Sequence, residues 1–243
     1  MSTSTRTLVL LSGLAAVGTL STTIILPSFP AMAASLNAAP ADMALTLSSF
    51  FLVFAVGQLL VGPLSDRYGR RPLILGGLTL FVLGSLLGAG ATDLSTMVAA
   101  RVIQAAGVCA ASVLARAVAR DLYDGPLLAK ALAFIMVAMA AAPGFSPLIG
   151  SVIDSQFGWR TSFVLVAAAG SALILSYSLL LNETHAPSAR LKMTVAGTAK
   201  AYMQLLGDRR FALPALSVNL VIGGLYAFFA SAPTIMIRGM GYS

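Results

Sequence analysis

Gly62-Pro63-Leu64-Ser65-Asp66-Arg67-Tyr68-Gly69-Arg70-Arg71-Pro72 is a short polar stretch set between two apolar runs, Leu45–Leu64 and Pro72–Ala89. Each run is close to the roughly 20 apolar residues that a helix needs to cross a bilayer. So short a connection implies two antiparallel spanning helices joined by a tight turn. Gly69 permits such a turn, because it lacks the Cβ that restricts other residues. Asp66 ends the first helix beside Arg67, Arg70 and Arg71, so it reads as an ionised carboxylate paired with arginine.

The pattern continues outward in both directions. Seven stretches have the length and apolar character of spans: Thr7–Pro27, Leu45–Leu64, Pro72–Ala89, Ser95–Val118, Leu127–Ile149, Thr161–Leu181 and Phe211–Met236. The residues are 58% hydrophobic and 9% charged, against roughly 25% charged in a soluble domain. The expected fold is therefore an all-α integral membrane protein, with lipid as its main solvent. Most loops are short, but 183–210 is longer, polar and basic. It divides the chain into a six-helix domain at 1–182, a cytoplasmic linker at 183–210 and a further spanning helix within 211–243. The first apolar stretch is longer than a signal-peptide core of about 7–15 residues, so it is read as a span.

Orientation follows from the basic residues. With the N-terminus in the cytoplasm, the inner side carries Arg6, Arg67, Arg70, Arg71, Arg116, Arg120, Lys130, Arg190, Lys192, Lys200, Arg209 and Arg210, and the outer side only Arg160 and Arg238. Cytoplasmic loops concentrate Lys and Arg, so the expectation is a multi-pass protein of a bacterial inner membrane with its N-terminus inside. The same bias opposes a seven-helix receptor, whose N-terminus lies outside.

Several functions are excluded. The net charge of +7 is spread over separate loops, so no nucleic-acid surface is expected. One cysteine, Cys109, and one histidine, His185, leave no disulfide, thiolate cluster or His-rich metal site. No cofactor is expected. No Walker A sequence is present, and no nucleophile, base and orienting group share a polar site, so the chain reads as neither an ATP-driven pump nor an enzyme.

One charge, Arg101, is clearly embedded within a span. Arg101 lies about six residues into the fourth stretch, roughly 9 Å deep by helix rise. A buried cation there is costly unless it snorkels to the surface or serves a polar site. Gln104 lies one turn on, nearly on the same face. In the fifth stretch, Pro143-Gly144-Phe145-Ser146-Pro147-Leu148-Ile149-Gly150 carries two prolines, read most simply as a kinked packing helix. Gly84 and Gly88 form a GxxxG pair suited to close helix packing.

These segments resemble motifs of the major facilitator superfamily. The 62–72 loop resembles motif A, G-x-L-a-D-r-x-G-r-[RK], in the expected place between helices two and three. The resemblance implies a conformational switch in Gly62, Asp66, Arg67, Gly69, Arg70 and Arg71, with Arg116, Arg120 and Asp121 as charge partners at the inner end of helix four. Arg101-Val102-Ile103-Gln104-Ala105-Ala106-Gly107 resembles motif B, whose arginine faces the central cavity and is tied to proton coupling. Pro143, Gly144, Pro147 and Gly150 resemble the antiporter motif ending G-P-x-x-G-G, although Ser146 and Ser151 replace two usual glycines. Leu26-Pro27 and Gly158-Trp159-Arg160 resemble the Bcr/CflA drug-resistance subgroup, in which Thr23 occupies the place of a common aspartate. Trp159 by itself reads as an interfacial anchor.

The resemblance implies a secondary transporter that exports small amphipathic molecules in exchange for protons. Its partners are then a small-molecule substrate, protons and the lipid bilayer. The family has twelve spans in two halves, so a second chain is a possible source of the other half. The rival expectation is a truncated, non-transporting fragment or interaction subunit.

Overall fold

The computed structural model describes residues 5–190 and 195–234, and every regular element among them is helical. They fall into two compact units, 1–191 and 192–243. In the first, α1 (Thr5–Thr23) passes through a 3₁₀ turn at Leu26–Ser28 into short α2 (Phe29–Ser35). Then come α3 (Met43–Tyr68), α4 (Arg70–Ala89), α5 (Leu94–Leu122), α6 (Gly125–Phe157) and α7 (Arg160–Leu180). The second unit holds α8 (Val195–Gly207) and α9 (Arg209–Thr234).

Among the described residues, six helices, all in the first unit, are long and apolar enough to cross a membrane, α1, its turn and α2 counting as one. They correspond to the first six stretches expected from sequence. The seventh stretch lies on α9, and its last two residues fall outside the described residues. The 183–210 segment is more than a connector, because α8 occupies half of it.

Why each helix stops is local chemistry. Pro27 falls where α1 gives way to the 3₁₀ turn, since proline has no N–H to continue the ladder. Asp93 caps α5, accepting from the Thr96 amide at 2.8 Å, and so supplies one of the acceptors that a helix N-terminus lacks. Gly69 ends α3 at φ +100° and ψ 165°, a backbone region open essentially to glycine alone.

In the apolar windows of the spans, 67% of α5 and 61% of the α1 segment are buried, against 17% for α3 and α6. Thus α5 and α1 form the centre, and α3 and α6 lie at the rim. Small residues make this possible. A Cβ on Gly77 of α4 would stand 2.6 Å from the Gly107 carbonyl of α5, so the two backbones are in direct contact. Gly84 and Gly88 divide their work. A Cβ on Gly84 would meet the Gln104 amide of α5 at 2.5 Å, and one on Gly88 would meet the Phe163 ring of α7 at 2.7 Å. One GxxxG pair therefore seats α4 against two different helices.

Candidate functional site

Two polar clusters interrupt the apolar bundle. The first lies where α3, α4, α5 and the segment after α7 meet. The Gly69 turn places Arg70 in the first turn of α4, facing back along α3. Its Nη1 donates to Asp66 Oδ1 at 2.6 Å and to Ser65 Oγ, and its Nε donates to Asp121 Oδ2 at 3.3 Å. The Arg70 side chain is only 10% exposed, so these charges interact with less water between them than surface pairs have. Thr184 Oγ1 also donates to Asp121, at 3.0 Å.

Glu183 completes the cluster. Its carboxylate accepts the backbone amides of Arg70 at 2.9 Å and of Arg71 at 3.3 Å, capping α4 with a negative charge where the helix dipole is positive. It also faces the Arg190 guanidinium at 3.8 Å. Sequence reading left Glu183 in the linker. The available signal was an acid directly after the sixth span, on the same side as an uncapped helix start.

The other residues expected in this cluster are placed differently. Arg71 donates to Asn182 Oδ1 at 3.3 Å and to the Ser178 carbonyl at 3.2 Å. Arg67 lies 5.2 Å from its neighbour Tyr68's ring centre. Arg116 points to the Met139 sulfur at 3.5 Å, and neither it nor Arg120 forms an ion pair with an acid among the described residues. Of the three partners expected at the inner end of this helix, only Asp121 joins. The two arginines share α5 with Asp121, but their positions around the helix turn them away from Arg70. A Cβ on Gly62 would meet nothing within 4 Å.

Burial alone raises the Glu183 carboxyl, but the amides of His185, Arg70 and Arg71 and the charge of Arg190 outweigh it and hold it below the ordinary carboxylate value. A carboxyl lowered in the folded state stabilises above its unfolded pKa, and the contribution disappears as pH falls through the folded pKa. Thermal melts in detergent should therefore show that acidifying from neutral pH costs the parent chain a larger drop in melting temperature than Glu183→Gln. Equal acid sensitivity would remove Glu183 as a contributor.

The second cluster is internal. Arg101 is fully buried, which excludes the snorkelling alternative. Its Nη1 donates to the Gln104 side-chain oxygen and to the Ser21 carbonyl of α1 at 3.3 Å. Gln104 Nε2 passes the chain on to Ser85 Oγ of α4 at 2.8 Å, and Ser85 donates to the Phe81 carbonyl at 2.7 Å. The guanidinium lies 4.3 Å from the Phe50 ring centre of α3, a cation–π contact strengthened by the absence of water. Four helices thus converge on one cation. Its Nε and Nη2 have no hydrogen-bond partner among the described residues.

Thr23 lies elsewhere. Its hydroxyl donates to the Thr19 carbonyl at 2.8 Å and meets Ser146 Oγ of α6 at 2.5 Å. Two of the three positions where the chain departs from the patterns it resembles, Thr23 and Ser146, are therefore neighbours. Ala142, Ser146 and Gly150 recur every fourth residue and form the buried side of α6. A Cβ on Gly150 would overlap the Ile24 carbonyl, so α6 sits directly on the end of α1. Pro143 and Pro147 lie within α6 and do not end it, while Gly144 faces open space. Trp159 is buried and donates to Ser35 Oγ at 3.0 Å. It joins α7 to α2 inside the protein instead of anchoring at a lipid interface.

The model of the Major Facilitator Superfamily matches residues 11–243. The uncharacterized MFS-type transporter YdgK of Bacillus subtilis is 36% identical over 93% of this chain and 57% of its own length. Multidrug resistance protein D of Escherichia coli is 30% identical over 97% of this chain and 59% of its own. Among solved structures, a bacterial homolog of the human lysosomal transporter Spinster, inward-facing and unoccupied, aligns with a TM-score of 0.72 at 18% identity. That alignment covers 100% of this chain and 58% of the other, and it bears on the fold alone. The chain spans a little over half the length of the curated relatives it matches.

Proposed function

The chain belongs to the major facilitator superfamily, a family of membrane transporters and not of enzymes, and on that footing we propose that it exports drugs or similar small amphipathic molecules by proton antiport. It is a multi-pass membrane protein with bacterial relatives, and we place it in a bacterial inner membrane with its N-terminus inside. The observation that carries the reading is Arg101, a fully buried cation with two guanidinium nitrogens unmatched by protein acceptors among the described residues. Such a group in an apolar bundle is costly to keep, and it suits a site that binds a polar or anionic group during the transport cycle. An arginine keeps its proton at working pH, so Arg101 tunes or binds and does not itself carry the proton.

Alternating access works by two repeats moving around a midplane site. The rim helices α3 and α6 expose apolar faces, with Leu52 at 67% and Leu148 at 69%, which suit contact with lipid and with a second half, on the same polypeptide or another. In this reading, the Asp66–Arg70–Asp121 cluster holds one state of the cycle. The test is efflux from proteoliposomes across an imposed pH gradient, with a substrate panel, for this chain alone and joined to a second six-helix half. Export that ignores the proton gradient in the joined form rejects antiport.

Two expected outcomes follow from the arrangement. Asp66→Asn should lower export several-fold while insertion is unchanged, because a pair present in only some states biases their populations. Asp154→Asn, at the far end of α6, is the comparison, and equal losses from the two would remove the special role of Asp66. Reporter tags at Met1 and Lys192 should report cytoplasm and a tag at Asp93 periplasm, and a periplasmic signal at Lys192 would overturn the orientation.

A further inference from the structure

A groove of about 430 Å³ lies between the first turns of α1 and the last turns of α7. Its size falls in the range of pockets that hold small ligands, ~300–1,000 Å³. The walls are apolar, from Val9 and Leu10 on one side and Leu173 and Leu180 on the other. Leu10 is buried and forms the floor, while Val9 is 66% exposed. Three polar side chains break the lining, Thr5 and Arg6 at the mouth and Ser176 within. Arg6 stands among the first residues of α1, and Ser176 contributes a hydroxyl from α7. At the far end the helices converge, since a Cβ on Gly13 would stand 3.0 Å from Leu173 Cδ2. From Arg6 to Gly13 the slot runs about 10 Å along the helix axis.

No acidic residue lines the groove, and Arg6 forms no ion pair among the described residues. The slot is thus apolar along its length, closed at its inner end, and cationic at the end that meets the bilayer surface. That combination matches one kind of molecule in a bacterial membrane. An acyl chain fills the slot, and a negatively charged headgroup rests at Arg6. A slot without the cation would take any lipid chain, and a cation without the slot would attract headgroups only loosely. Juxtamembrane basic residues favour anionic lipids, and pockets between spanning helices with basic mouths hold them individually.

We propose that the α1–α7 groove is a binding site for one anionic phospholipid, with Arg6 selecting the headgroup, Ser176 meeting the ester region and the Val9–Leu173 walls holding an acyl chain. The proposal rests on the membrane-embedded arrangement above, in which the basic N-terminal end of α1 faces the cytoplasmic leaflet.

The test is native mass spectrometry of the full chain in detergent, with phosphatidylglycerol or phosphatidylethanolamine of identical acyl chains added. The parent chain should retain one phosphatidylglycerol several-fold more than phosphatidylethanolamine. Arg6→Gln, at an exposed position, should reduce phosphatidylglycerol retention to the phosphatidylethanolamine level and leave the latter unchanged. Ser176→Phe, which fills the slot, should reduce both. Arg210→Gln should change neither, and inorganic phosphate should not displace the lipid. Equal retention of the two lipids by the parent would overturn the proposal. So would unchanged selectivity in Arg6→Gln, full retention in Ser176→Phe, an equal loss in Arg210→Gln, or displacement by phosphate. Detergent micelles have no sides and the readout needs no transport. Failure here therefore leaves the export reading standing, and failure of export leaves this site standing.

Discussion

Arg101→Ala is expected to abolish export by the joined transporter, at least tenfold in initial rate, or about 1.4 kcal/mol in barrier terms. Arg101→Lys should recover little of it. The guanidinium is fully buried and engages the Ser21 carbonyl at 3.3 Å, the Gln104 side chain and the face of Phe50, with no carboxylate in an ion pair with it among the described residues. A lysine ammonium is a compact point charge without the planar fork, so it cannot stack on Phe50 while reaching two acceptors in different directions. Arg101→Ala removes a costly buried charge but leaves a cavity and an unpaired Gln104 oxygen, so insertion is measured beside transport. A purely structural Arg101 predicts normal transport per inserted Arg101→Ala molecule. Rates normalised to inserted protein decide the matter, and export within twofold of the parent would sink Arg101 as the central group.

Gly69→Ala is expected to destabilise the chain by about 2–4 kcal/mol, the sum of backbone strain and a lost helix cap. Two causes act together. At φ +100° and ψ 165°, an L side chain adopts a conformation that residues other than glycine essentially avoid. The added Cβ would also overlap the Glu183 carboxylate and stand 2.8 Å from Arg190 Nη2. Glu183 would have to leave the amides of Arg70 and Arg71, and α4 would lose its anionic cap. Gly125 provides the comparison. It has φ +52°, and a Cβ added there would meet no atom within 4 Å, so Gly125→Ala should cost only the left-handed penalty of ~1–2 kcal/mol. Melting of the two variants in the same detergent compares a crowded glycine-only turn with an open left-handed one. Equal losses would mean that the Glu183 contact adds nothing.

The position of every span in the first unit was legible in the sequence. Hydropathy over about 20 residues is a local property, and of the two structures that satisfy the backbone in lipid, a helix or a closed β-barrel, a continuous apolar run of that length fits the helix. The Gly69 turn was legible for the same reason, being set by one residue type in a short polar loop. So was the pairing of Asp66 with an arginine of that loop, although only the structure shows that Arg70 is the partner. What the sequence left open is which face of each helix meets which neighbour. On a soluble helix, polar residues mark the outer side. In lipid both sides are apolar, and that mark is missing. Tertiary packing therefore decided that Arg70 reaches Asp121 and Glu183, 51 and 113 residues away, that Arg116 and Arg120 do not join them, that Gly84 and Gly88 serve two different helices, and that Thr23 touches Ser146 across 123 residues. The same packing turned Arg101 inward, because the small residues of α4 and α5 bring their backbones close enough for Gln104 to link it to Ser85.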